Sequence, residues 1–248
     1  MRTSNPAFSG QAFTAPSLPM GWDQAQQSVM TVNGTVNKTA ILLLCVLATS
    51  FYSWNQAMTG SVGWLVLGGA IGGFIMAMVT IFKKEWAPVT APIYGLLEGL
   101  FLGAISAMFN ARYAGLPMQA VLLTFGTCLA MLLAYRSGLI RATEKFRVGV
   151  IAATGGIALV YFISIIIGFF GIQIPGIFGN GIIGIGFSLF VVGIAALNLI
   201  LDFDFIEKGA AAGAPKYMEW YGAFGLMVTL IWLYLEMLRL LSKLQNRR

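Results

Sequence analysis

After an opening stretch with no apolar run, the chain repeats one pattern seven times: roughly twenty apolar residues closed by a short group rich in Lys, Arg, Gly or Pro. A hydrocarbon core about 30 Å thick takes about 20 residues of helix at ~1.5 Å each, so each run predicts one transmembrane helix. The runs fall at about 37–57, 61–82, 88–110, 117–135, 148–171, 181–203 and 220–241. They are apolar on every side, without the alternating polarity that strands of a membrane β-barrel require. The expected fold class is therefore all-α, a polytopic seven-transmembrane helix bundle.

Residues 1–33 differ in kind, because "MRTSNPAFSGQAFTAPSLPMGWDQAQQS" is rich in Ser, Pro, Gly, Ala and Gln. This stretch reads as a mobile tail, followed by one membrane domain over 34–248. It lacks the basic region and apolar core of a cleavable signal peptide, so the first span is expected to serve as the insertion signal. Composition agrees: 58% hydrophobic and 10% charged residues, with a mean hydropathy of +0.82, lie far from soluble averages. A net charge of +6 would suggest nucleic acid for a soluble protein. Here the basic residues cluster in short loops, where they set topology and meet anionic headgroups. Cys45 and Cys128 sit inside apolar runs, and the chain has no His and no CxxC, which argues against disulfide frameworks, His-ligated metal and His catalysis.

Cytoplasmic loops retain Lys and Arg. On the side of the amino terminus lie Arg2, Lys38, Lys83, Lys84, Arg136, Arg141, Lys145, Arg147, Lys208 and Lys216, against Arg112 alone in the opposite loops. The amino terminus is therefore expected in the cytoplasm. Arg239, Lys243, Arg247 and Arg248 would then lie on the far side, against the rule, unless the last span re-enters; its length, Trp220 to Leu241, favours crossing. Gly95, Gly99 and Gly103 repeat GxxxG spacing in the third span, and Gly68, Gly69, Gly72 and Gly73 line the second, as expected of faces where backbones approach closely.

Carboxylates within membrane helices are costly and usually face a bundle interior or a wet cavity. Glu98, in "YGLLEGLFLG", lies about ten residues into the third span with no base nearby on its helix, so it must find a partner on another helix or stay protonated. Asp202, in "NLILDFDFIEKG", lies a turn or so inside the end of the sixth span and is expected to face inward. Asp204 is turned about 200° away on the helix, and with Glu207 it reads as a solvated helix-end charge. Glu236 can pair with Arg239 at i+3, and Thr229, two turns before it, shares its face, so the two could line a path.

"LDFDFIEKG", "TEKFRVGVIAATGG" and "EWYGAFGLMVTLIWLYLEMLRLLSKL" together resemble the Bax inhibitor 1 family, also called the transmembrane Bax inhibitor motif family, in its bacterial Bax inhibitor 1-like branch. The resemblance covers about residues 35–245, with Asp202 at the family's acidic position and Ile206 four residues on. It implies a last helix enclosed by the other six. In some members it also implies a proton-sensitive calcium leak, in which carboxylates on the sixth and seventh spans share a proton. The second acidic position falls on Glu236 if "LYLE" is aligned, or on Thr229 if the last helix is aligned without gaps. Thr229 suits the short loop and the depth of Asp202 better, leaving Asp202 alone or paired with Glu98.

The expected function is a pH-sensitive calcium or cation leak with Asp202 and Glu98 along the ion path, since oxygen-only ligands suit Ca²⁺. Thr229 and Glu236 are the further candidates for that path. The alternative is a non-transporting regulatory protein that binds a membrane protease or another membrane partner. No GxSxG or HExxH appears, and Asp202 and Asp204 share one helix end, so an enzyme is not expected. No cofactor beyond a permeant Ca²⁺ is expected, and the lipid bilayer is the one certain partner. The bacterial resemblance points to an inner membrane.

Overall fold

The computed structural model describes residues 29–60, 63–170 and 176–247. Seven long helices lie among them: α1 (Val32–Thr59), α2 (Gly63–Phe82), α3 (Ala87–Arg112), α4 (Leu116–Arg136), α5 (Glu144–Phe169), α6 (Ile182–Ala211) and α7 (Met218–Gln245). Each is long and apolar enough to cross a membrane. The chain is thus an integral, multi-pass membrane protein with an all-α fold.

Local chemistry sets the helix ends. Thr31 caps α1, its hydroxyl accepting the Gly34 N–H at 2.9 Å, and Thr143 caps α5 by accepting that of Phe146 at 3.3 Å. Prolines occupy the first turns of α3 and α4, where a missing N–H removes no helical bond. The tight α3–α4 turn passes through Gly115 at φ 77°, a conformation that other residues adopt at a penalty. Several helices run past the ends of their apolar runs. α6 continues beyond residue 203 to Ala211 because its charges find partners on neighbouring helices, and α1 starts at Val32.

That early start ties down the near end of the segment read as a tail. Val29 forms a β-bridge with Pro215, the Met30 N–H donates to the Ala214 carbonyl at 2.7 Å, and the Met30 side chain is buried. Residues 29–33 therefore belong to the folded unit; residues 1–28 of the expected tail lie outside the described residues.

α7 is the axis of the bundle. It packs on α1, α3, α4 and α6, while α2 lies mainly against α3 and α5 against α6. Met227, Leu233 and Leu238 of α7 are buried with Leu42, Leu102, Leu116 and Leu199 from the surrounding helices. Large apolar side chains such as Leu44, Leu67 and Phe162 point outward, as a lipid-facing rim requires. α3 seats on α1 through glycines: a Cβ on Gly103 would strike the Ser50 backbone, and one on Gly99 the Val46 backbone.

α7 runs unbroken from one end of the bundle to the other. Near its start Glu219 meets Thr31 and Lys38 of the α1 end; near its finish Asn246 accepts from Tyr113 of the α3–α4 turn, and Lys243 reaches the Ile177 carbonyl between α5 and α6. It is one continuous helix, Met218–Gln245, with no break at which the chain turns back. The basic residues at the far end are partly consumed inside the protein. Arg239 pairs with Glu236 at 2.8 Å, and buried Lys243 donates to the carbonyls of Ile177 and Gly184 and to the Ser188 hydroxyl at 3.2, 2.9 and 2.9 Å.

Candidate functional site

The end of α6 carries two aspartates that look in different directions, as a helix with positions 202 and 204 about 200° apart dictates. Asp202 faces α7, where Thr229 is the polar side chain presented to it, and Cys128 of α4 lies within range of its charge. Its Oδ2 is buried and has no hydrogen-bond partner among the described residues. Thr229 is itself buried, and its hydroxyl makes a long 3.4 Å bond back to the Gly225 carbonyl.

Asp204 corrects an expectation. It is buried and not solvated, accepting from Arg147 at 3.0 Å and from Lys208 at 2.9 Å. The cause is Arg147, which the first turn of α5 delivers to Asp204. Glu207 stays exposed and accepts from the Tyr135 hydroxyl.

Glu98 sits between α2 and α3. Gly73 leaves room for it, since a Cβ there would fall 2.6 Å from the Glu98 Oε1, and Tyr94 is the group within range of its charge. Among the described residues it has no hydrogen bond or ion pair. Glu98 thus meets Gly73 of α2 and Tyr94 of its own helix, and Asp202 meets Thr229 of α7 and Cys128 of α4.

Glu236 is turned toward α5. Its Oε1 accepts from Arg239 at 2.8 Å and from the Tyr161 hydroxyl at 2.9 Å, and Arg239 also donates to that hydroxyl at 2.5 Å while stacking over the ring at 4.9 Å. Glu236 Oε2 is buried without a hydrogen-bond partner among the described residues. Thr229 and Glu236 lie about 10 Å apart along α7 by helical rise. Of the two, Thr229 is the one set opposite Asp202.

The geometry is therefore one helix, α7, with a hydroxyl facing an α6 acid and a second acid two turns beyond, enclosed by its neighbours. The sequence matches the family described as Bax inhibitor 1 like over residues 5–246. The chain belongs to the Bax inhibitor 1-like family. Neither a curated protein nor a solved structure matches it.

Within this Bax inhibitor 1-like chain the residues that complete the polar framework are ones that spacing alone does not flag. Glu219, wholly buried in the first turn of α7, accepts from the Thr31 N–H and hydroxyl at 2.9 Å each, pairs with Lys216 at 3.0 Å, and also pairs with Lys38. An acid in a helix's first turn with Lys three residues before it was the available signal. Tyr161 and Arg147 left none, since their partners are 75 and 57 residues away. Among the described residues no three acids or cysteines gather as metal ligands.

Proposed function

We propose that this Bax inhibitor 1-like protein is a pH-sensitive leak for Ca²⁺ or another cation, with Asp202 as its gating acid. The observation that carries the reading is the buried Oδ2 of Asp202, without a hydrogen-bond partner among the described residues, on the α6 face turned to α7. A buried carboxylate oxygen without a donor is costly, and two changes relieve it: a proton on the acid, or entry of water and a cation beside it. The first is a neutral, closed state; the second opens a path along α7 past Thr229. The position facing Asp202 holds a hydroxyl, so a single acid gates, and it titrates in one step where a proton-sharing pair would show two. Glu98 and Glu236 lie along the helices that flank this path. The excess of Lys and Arg in the loops on the α1 side supports a cytoplasmic amino terminus, and the bacterial likeness of the sequence supports an inner membrane.

Ca²⁺ entry into dye-loaded proteoliposomes between about pH 6 and about pH 8 tests this. Wild type is expected to show one pH-dependent step, Asp202→Asn a flux that no longer follows pH, and Glu98→Gln an unchanged profile. No flux at any pH from folded protein would sink the reading. The alternative, a regulator that binds a membrane protease or other membrane partner, would then take its place. It draws support from Gly149, Gly155 and Gly156 of α5, whose faces meet no neighbour within 4 Å.

A further inference from the structure

α1 and α4 both lie on α7 but scarcely touch each other. The gap between them holds two cavities that share Leu43 in their walls, one of about 940 Å³ at the α1-start end of the bundle and one of about 770 Å³ toward the far end. Each has the size of a ligand pocket. Their chemistry differs along the depth of the membrane. The deeper one is walled by apolar side chains, among them Leu47, Phe51, Val121 and Phe125, and the exposure of Leu47 and Phe51 opens it sideways to the bilayer.

The outer cavity is ringed at its mouth by Arg136 and Arg141. Two acids also reach it: Asp204 is paired with Arg147 and Lys208, and Glu207, on the exposed rim, accepts from the Tyr135 hydroxyl. The Arg136 and Arg141 guanidiniums have no ion-pair partner among the described residues, and both residues are exposed. Leu43, where the cavities meet, lies ~16 Å along α1 from Val32 by helical rise, so the crevice passes from headgroup depth into the hydrocarbon. Free anions would satisfy the mouth and leave the apolar half empty. A zwitterionic lipid would fill the apolar half but bring its own cation beside two that have no ion-pair partner among the described residues.

We infer that the α1–α4 crevice binds an anionic phospholipid, its phosphate held by Arg136 and Arg141 and one acyl chain lying along α7 in the apolar cavity. Basic pockets between membrane helices at headgroup depth take such lipids. The site is independent of the leak reading, because neither arginine touches Asp202 or Thr229.

The test uses the full chain, purified in mild detergent, stripped of lipid and then offered phosphatidylglycerol, phosphatidylcholine with the same acyl chains, or inorganic phosphate. Bound lipid is read by native mass spectrometry and by thermal melting. Phosphatidylglycerol is expected to be retained and to raise the Tm, phosphatidylcholine to be retained far less, and phosphate to do nothing. Arg136→Gln with Arg141→Gln is expected to weaken phosphatidylglycerol about thirtyfold, the factor two headgroup-facing basic side chains supply, while Lys145→Gln, exposed and off the crevice, leaves it unchanged. Val121→Phe, which fills the apolar half, is expected to weaken both lipids. Equal retention of the two lipids, an equal response to phosphate alone, or retention indifferent to the arginine pair or to Val121→Phe would overturn the inference.

Discussion

Adding one methyl group at Gly103 is expected to force α1 and α3 apart. A Cβ on Gly103 would lie 2.7 Å from the Ser50 Cα and 2.8 Å from its carbonyl carbon, where ordinary carbon contacts are about 3.5–4.0 Å. These are backbone atoms and cannot rotate aside, so α1 must withdraw by roughly 1 Å. The withdrawal strains two interhelical bonds, Ser50 Oγ to the Gly99 carbonyl at 3.0 Å and Ser53 Oγ to that of Leu100 at 2.6 Å. Overpacking costs about 1–3 kcal/mol, and each strained bond adds roughly 0.6 kcal/mol in a membrane bundle. Against this, alanine in a helix recovers about 1 kcal/mol over glycine. The net loss for Gly103→Ala is about 1–3 kcal/mol. Gly99→Ala, whose Cβ would meet the Val46 backbone, belongs to the same class. Gly95→Ala, with its nearest contact the Leu42 carbonyl at 3.4 Å, is expected near neutral, and Gly126→Ala, which meets nothing within 4 Å, about 0.5–1 kcal/mol stabilising. Reversible unfolding of the four variants by SDS in mixed micelles gives the order directly. If Gly103→Ala unfolds as late as Gly126→Ala, the close α1–α3 contact is not what these glycines serve.

Glu219→Gln removes the charge that Thr31, Lys38 and Lys216 share, and hydrogen bonds to a buried charged group are worth about 1.5–3 kcal/mol each. Faster hydrogen exchange at the Met30 and Thr31 amides, with lower overall stability, is the expected result; unchanged protection would show that the bridge to Pro215 holds the segment alone. Asp204→Asn is expected to destabilise by about 1–2 kcal/mol and not by the 3–5 of a fully enclosed pair, because Lys208 and Arg147 can turn to water. Urea or SDS unfolding of this variant checks it, and a loss well outside that range would mean that the site is either open or completely sealed.

The seven helices were legible because each is a continuous apolar run, and length alone arbitrates between a span and a shorter element. The glycine seams were legible for the same kind of reason, since GxxxG spacing on one helix needs only a neighbour to be meaningful. Charges were harder. The Glu236–Arg239 pair is local to one helix and follows from i+3 spacing. Asp204 looked solvated because the partner that buries it, Arg147, stands on another helix. Tyr161 had no local mark at all, and its place between Glu236 and Arg239 is a property of how α5 leans on the bundle. The helix ends were misjudged wherever polar residues continue a helix by pairing sideways, as α6 does beyond Asp202.

The central place of α7 also has a consequence in time. A chain is made and inserted from its amino end, and α7 follows the other six helices out of the ribosome. Until it arrives, Leu42, Leu102, Leu116 and Leu199 have no common partner, because the cluster they form closes around Met227, Leu233 and Leu238 of α7. Before it is made, α1, α3, α4 and α6 lack the element on which they converge. A product truncated before Met218 is therefore expected to leave Leu42, Leu102, Leu116 and Leu199 without the α7 side chains that cover them.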